Sequence, residues 1–286
     1  MKALVFGCGY LGSAFARRLA ADGWTVWVTT RDPHRRARFE AEGFAVADPD
    51  DPAALARAVA GVAAILVTAP PGPDGCPGLR ALVPALARSS GFPGWIGYVS
   101  TTGVYGDRGG GWVDERSELN AASVAGARRA AAERDWLEVA RGMGLSLCIF
   151  RLPAIYGPGR SPFAKLRNGE ARLIRKPGQV FNRVHVDDVV SGMMASLARP
   201  RPGAAYNLCD DEPAGADVYT AYAAHLLGFP APPEIDWTDL SVGEGMRRFY
   251  LDNKRVSNAR AKAELGWTPR FADWREGLRA VLAAEG

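Results

Sequence analysis

The sequence predicts an α/β protein: a doubly wound parallel sheet followed by a smaller C-terminal substrate lobe. Short apolar runs suited to buried strands alternate with helix-period segments over the first 150 residues. A glycine-rich turn joins the first run to the first helix. At 286 residues and 48% hydrophobic, the chain is long and apolar enough to cover both faces of such a sheet.

Lys2 to Phe6 is a short apolar strand, and Leu11, Phe15 and Leu19 recur every four residues on one face of the helix that follows. Gly23 ends that helix, and Thr25 to Thr29, β-branched and aromatic, is the second strand. The alternation continues with "GFAVADPDD" as strand, "PAALARAVAGV" as helix, and "AAILVTAPPG" as a strand whose exit Pro70 and Pro71 stiffen. "GLRALVPALARSSGF" is the next helix, and "WIGYVSTTGVYG" a strand running into a polar turn. Ligands of a doubly wound sheet sit at the carboxyl ends of its strands, which here carry the glycine turn, Arg31, Asp48, Pro70 and Thr101.

Composition narrows the function classes. The formal charge of +4 leans towards anionic ligands, but acids interleave with the basic residues, so no nucleic-acid platform is expected. The apolar run at the start is too short for a signal peptide or a bilayer span, so a cytoplasmic protein that does not engage membranes is expected. Cys8, Cys76, Cys148 and Cys209 are far apart with no CxxC pair, which supports neither a disulfide framework nor a metal site.

Gly7, Gly9 and Gly12 form GxGxxG between strand and helix. The first allows the tight turn, the second admits a pyrophosphate against the backbone, and the third lets the helix pack on the strand. Gly7, Cys8, Gly9, Tyr10, Leu11 and Gly12 are thus the expected dinucleotide-binding turn, Cys8 being a small side chain that fits there. The second strand ends in Thr29, Thr30 and Arg31, with Arg35 and Arg36 close behind, where an NAD-binding protein usually places an acid. An arginine grips a 2′-phosphate that a carboxylate would repel, so NADP is expected over NAD, with Asp32 keeping NAD open.

From "VSTTGVYG" (99–106) onward the chain resembles the extended short-chain dehydrogenase/reductase superfamily, with its NAD-dependent epimerases and dehydratases on a Rossmann sheet. The likeness continues through "RLPAIYGPGR" (151–160), "NRVHVDDVV" (182–190), "YNLCDDEP" (206–213) and "ELGWTPRFADWREGL" (264–278). It implies a dinucleotide domain over 1–150, rejoined by about 183–210, and a substrate lobe over most of 151–286.

The resemblance also implies a Ser or Thr acting with a Tyr and Lys spaced YxxxK. The Ser/Thr position falls on Thr101. The pattern YGxxKxxxE matches "AGARRAAAE" with Gly126 and Glu133 in register, which puts Ala125 in place of the tyrosine and Arg129 in place of the lysine. Alanine has no proton to move, and guanidinium is a poor acid or base. The pattern therefore resembles the atypical branch that lacks the usual Tyr and Lys, with Arg129 left to hold the ribose.

Tyr105 is the nearest substitute acid in sequence, although the family's "VYG" tyrosine belongs to the turn and cleft. Asp114 and Glu115 could serve as a base or simply stabilise their loop, and Gly109 to Gly111 suggest a mobile flap. The resemblance places Pro153 and Tyr156 beside nicotinamide and substrate, and has His185 fix the return of the chain or take a substrate role. Lys165, Arg167, Arg172, Arg175 and Lys176 offer a basic lining for an anionic substrate such as a nucleotide sugar. Two functions follow: an NAD(P)-dependent oxidoreductase or isomerase on a small carbinol or carbonyl substrate, or a nucleotide-binding sensor without turnover. The family's dimers, and the alanine-rich surface from Ala121 to Ala132, lead to an expected homodimer.

Overall fold

The computed structural model describes residues 1–285. In chain order the elements begin β1 (Lys2–Phe6), α1 (Tyr10–Ala21), β2 (Thr25–Thr29), α2 (Pro33–Ala41), β3 (Ala45–Ala47), α3 (Pro52–Val59), β4 (Ala64–Val67), α4 (Pro77–Ala87) and β5 (Trp95–Thr101). After a 3-10 turn at Thr102–Tyr105 come β6 (Trp112–Val113), α5 (Val124–Met143), β7 (Leu147–Leu152), β8 (Ala154–Tyr156), α6 (Phe163–Arg167), β9 (Leu173–Arg175), β10 (Arg183–His185) and α7 (Val186–Ala198). The chain closes with β11 (Ala204–Asn207), α8 (Ala216–Leu226), β12 (Glu234–Asp236), α9 (Glu244–Phe249), β13 (Arg255–Val256), α10 (Ala259–Leu265) and α11 (Trp274–Glu285).

The first strands and helices form where local chemistry places them. Asp32 accepts from the backbone N–H groups of His34 and Arg35 to cap α2, and Asp51 does the same for Ala53 at α3, each followed by a proline whose missing N–H costs nothing there. The main sheet runs β11-β7-β5-β4-β1-β2-β3. The pairs β1–β2, β2–β3, β1–β4 and β4–β5 are parallel, with Ala3 opposite both Val26 and Ala64. The order reverses at β1, between β2 and β4, so the crevice that takes ligands in such sheets opens beyond Phe6 and Val67. Leu4, Phe6, Ile65, Val67, Ile96 and Tyr98 fill the core from the strands, and Leu55, Leu82, Leu86 and Trp136 meet them from the helices.

Two compact units of similar size share the chain in alternating stretches: residues 1–101, 128–151 and 193–206 make the first, and 102–127, 152–192 and 207–286 the second. This differs from a division at residue 150 with a return over 183–210. The 102–127 stretch leaves the first unit at the end of β5, and the return is shorter, residues 193–206, which carry the end of α7 and the edge strand β11 of the sheet. The second unit carries three short parallel pairs, β6–β13, β8–β10 and β9–β12. Its core packs Tyr156, Phe163, Leu166, Tyr219, Trp274 and Leu278. Among the described residues no helix is long and apolar enough to cross a membrane.

Candidate functional site

The glycine turn sits at the reversal point of the sheet. Gly7 has φ +84°, and a Cβ there would lie 2.7 Å from the Ala69 backbone nitrogen, so both its conformation and its surroundings demand glycine. Its N–H donates to Thr29 Oγ1 at 2.8 Å, and the Thr68 hydroxyl donates to its carbonyl, clamping the turn between the ends of β2 and β4. A Cβ on Gly12 would meet Val5 Cγ1 at 3.1 Å, which is the close packing of helix on strand.

Gly9 is different. It has φ −90°, open to any residue, and the nearest atom to a Cβ there would be the Gly7 carbonyl oxygen at 3.9 Å. Nothing inside the protein requires glycine at this position; the space above it is what a side chain would fill. No side chain caps the N terminus of α1 either, so the positive end of its dipole faces that space. An anionic pyrophosphate fits a bare turn at a helix N terminus. The Cys8 side chain turns inward instead, buried with Sγ 3.6 Å from Ser13 Oγ, and burial pushes its thiol pKa up. Tyr10 is half-buried and Leu11 buried at the start of α1, so this turn meets a ligand with backbone more than side chain.

The arginines after β2 separate. Arg31 is exposed and its guanidinium lies 3.8 Å from the equally exposed Asp50. Arg35, held one turn into α2, reaches back to donate to the Cys8 carbonyl of the glycine turn. Of the two, Arg35 is the cation that stands at the turn, because the Asp32 cap fixes where α2 starts and so which residues face β1. Asp48 accepts from the Asp50 N–H at 2.9 Å in a turn after β3, and Pro70 is exposed beyond β4.

At the other side of the crevice, β5 ends in Ser100 and Thr101, the latter half-buried. Ser100 donates to Glu133 at 2.5 Å, and Arg151 meets the same carboxylate with Nη2 at 2.8 Å and Nε at 3.2 Å. This buried triad ties β5, α5 and β7 together. One turn earlier on α5, Arg129 donates to the Val99 carbonyl and, at 3.4 Å, to the Tyr98 hydroxyl. Burial pushes the Tyr98 pKa up to about 12, so it stays a neutral partner.

Within the second unit, Ala125 is exposed on the first turn of α5. Next to it, a Cβ on Gly126 would lie 2.8 Å from the Gly103 carbonyl oxygen, which explains that glycine by packing. Tyr105 is fully buried and donates to Asn207 Oδ1 at 2.8 Å, while Asn207 Nδ2 donates to the Ser257 carbonyl. That is a structural bond inside the protein, not the exposed phenol a substitute acid would need. Glu115 accepts the Asn207 N–H at 2.7 Å with its carboxyl pushed up by burial, and Asp114 accepts from Arg116 and Ser117 in its own loop. The expected flap at Gly109 to Gly111 is tied down: Arg108 and Gly110 both donate backbone N–H groups to Asn253, and Arg255 donates to the Gly110 carbonyl.

His185 is buried between Tyr156 and Phe271, with ring centroids 5.3 Å and 4.5 Å away, and burial lowers its pKa. Beside it, Asp188 accepts the N–H groups of Arg270 and Phe271, a link within the second unit. Pro153 is half-buried between β7 and β8. Tyr156 lines a cavity of about 680 Å³ in this unit. Of the basic residues expected as its lining, Lys165 and Arg172 are there. Arg167 and Arg175 instead pair with Glu285 and Glu234, and Lys176 donates to the Tyr250 carbonyl. Arg160 and Arg183 line it in their place; both fall inside the stretches that carry the family likeness, 151–160 and 182–190, but were not among the basic residues expected there. Among the described residues no three His, Cys, Asp or Glu side chains come together to hold a metal ion.

A bare glycine turn at the reversal point of a doubly wound parallel sheet defines a dinucleotide-binding α/β protein. The chain belongs to the NAD dependent epimerase/dehydratase family, whose model matches residues 3–74 and 80–209. Protein YeeZ of Escherichia coli K12 is 31% identical over 95% of this chain and 97% of its own length. A conserved protein of unknown function from Silicibacter pomeroyi shares 41% identity and superposes with a TM-score of 0.90 over 99% of this chain and 98% of its own. The dTDP-glucose 4,6-dehydratase DesIV of Streptomyces venezuelae, solved with NAD bound, has the same fold at 23% identity, with a TM-score of 0.81 over 99% of this chain and 96% of its own.

Proposed function

We propose that the protein is an NADP-preferring oxidoreductase or isomerase acting on a carbinol or carbonyl compound with an anionic part, nucleotide sugars included, without the tyrosine–lysine pair. The observation that carries the proposal is the open face of Gly9 with the Arg35 guanidinium at the adjacent Cys8 carbonyl. A bound dinucleotide supplies the hydride acceptor or donor. Thr101, last residue of β5, polarises the substrate oxygen with its hydroxyl. Arg129, anchored on Val99 and Tyr98, keeps further N–H donors for ribose hydroxyls. Ala125 gives no proton, and a missing general acid costs about 10²- to 10⁴-fold in rate, so turnover is slow or the acid comes from substrate or water.

Energy transfer from tryptophan to reduced nicotinamide tests the cofactor. NADPH is expected to bind about tenfold or more tighter than NADH, a preference that Arg35→Ala removes. Arg31→Ala, at an exposed side chain, should change affinity by no more than about twofold. Equal binding of the two cofactors overturns the NADP reading, and a preference untouched by Arg35→Ala overturns the role given to Arg35.

The working form proposed is a cytoplasmic homodimer. Light scattering at micromolar concentration is expected to give twice the 30.6 kDa chain mass, and a monomer throughout that range rejects the dimer.

A further inference from the structure

The cavity of the second unit is walled mainly by apolar groups. Ile155, Ile174, Ile235 and Val242 supply aliphatic surface, and the rings of Tyr156, Tyr219 and Tyr250 close the remainder. At about 680 Å³ it falls in the size range of small-molecule pockets. The cations Arg160, Lys165 and Arg172 at its edge are exposed, with the carboxylate of Glu170 among them. Water screens such groups, so they steer a ligand more than they hold it.

Arg183 stands apart from these. It lines the cavity yet is only 6% exposed. Nη1 donates to the Phe181 and Ala214 carbonyls at 3.1 Å and 3.0 Å, and the guanidinium carbon lies 4.2 Å from the centre of the Tyr219 ring. These contacts hold the fork in place while Nε and Nη2 donate to no group among the described residues, and no carboxylate there pairs with it. The carboxyl that bears on it, Asp210, is itself buried, burial raises its pKa while the charge of Arg183 lowers it, and the hydrogen bonds of the guanidinium go to carbonyls instead. A desolvated guanidinium with free donors beside an apolar cavity is a receptor for one anionic head.

We propose that this cavity takes an organic acid with an apolar body, its carboxylate on Arg183 and its aryl or aliphatic part against Ile155, Ile174, Ile235 and the tyrosine rings. The single buried cation suits one carboxylate better than a diphosphate, which would leave charge against the aliphatic wall. This rests on the reading of the chain as an enzyme for an anionic carbinol or carbonyl substrate, and narrows its substrate class.

The test is calorimetric titration of the cofactor-free, full-length protein with 3-phenylpropionate, UDP and inorganic phosphate, with NADPH titrated in parallel. The aryl acid is expected to bind at least about tenfold tighter than UDP or phosphate. Arg183→Met should weaken it by about tenfold or more, Arg183→Lys by less because a point charge replaces the fork, and Lys165→Ala by no more than about twofold. If Arg183→Met does not fold, Ile174→Trp, which takes up cavity volume and leaves Arg183 in place, must weaken the acid by a similar factor. Tighter binding of UDP, no binding of the acid, or unchanged affinity in both variants overturns the proposal. Any of these with NADPH binding intact sinks the organic-acid assignment alone, whereas failure of the parent protein to bind NADPH sinks the proposed function.

Discussion

Glu133→Ala is expected to destabilise the protein by about 3–5 kcal/mol. The carboxylate and its partner guanidinium have 2% and 8% of their side-chain surface exposed, at 2.8 Å, so removing the acid takes the carboxylate away from the buried charge of Arg151 and breaks the bond from the Ser100 hydroxyl. Glu133→Gln keeps the shape and loses the charge, and should fall between parent and alanine variant. Urea midpoints check this, with Glu138→Ala at an exposed position of the same helix as control, expected within about 0.5 kcal/mol of the parent. A loss below about 1 kcal/mol for Glu133→Ala would show that the triad is not holding β5, α5 and β7 together.

Gly7→Ala is the second large effect, and its comparison with Gly9→Ala separates folding from binding. At Gly7 an added Cβ meets backbone at 2.7 Å in a left-handed conformation, so a loss of about 2–4 kcal/mol is expected together with loss of nucleotide binding. At Gly9 the same Cβ meets only an oxygen at 3.9 Å, so stability should stay within about 1 kcal/mol of the parent. NADPH affinity should nevertheless drop at least about tenfold, because the methyl group occupies the space where the pyrophosphate approaches. Denaturation midpoints and NADPH titrations of the two variants give four numbers. Parent-like NADPH affinity in Gly9→Ala would mean that the open face of the turn is not where a ligand sits.

Much of this was readable from the residues. The limits expected for β1 and β2, Lys2 to Phe6 and Thr25 to Thr29, are those observed, because an apolar run bounded by turn residues is a local property. The glycine turn was equally legible: a φ of +84° and a close backbone are reasons for glycine that act at one position. The pairs β6–β13, β8–β10 and β9–β12 left little trace, since strands of two or three residues carry too short a pattern to set a period. Tyr105 shows the same limit in the site. Its place beside Thr101 in sequence suggested an acid, but the bond to Asn207, 102 residues away, makes it a buried strut.

By itself, then, the sequence determined the α/β class, the glycine-rich dinucleotide turn and the family. Those features depend on residue type and short spacing. Tertiary structure alone decided that Arg35 stands at the turn while Arg31 faces solvent, that Glu133 is locked to Arg151, and that Arg183 lines the cavity where Arg167, Arg175 and Lys176 do not. A long charged side chain can point in many directions from one backbone position, and only the elements packed around it choose among them.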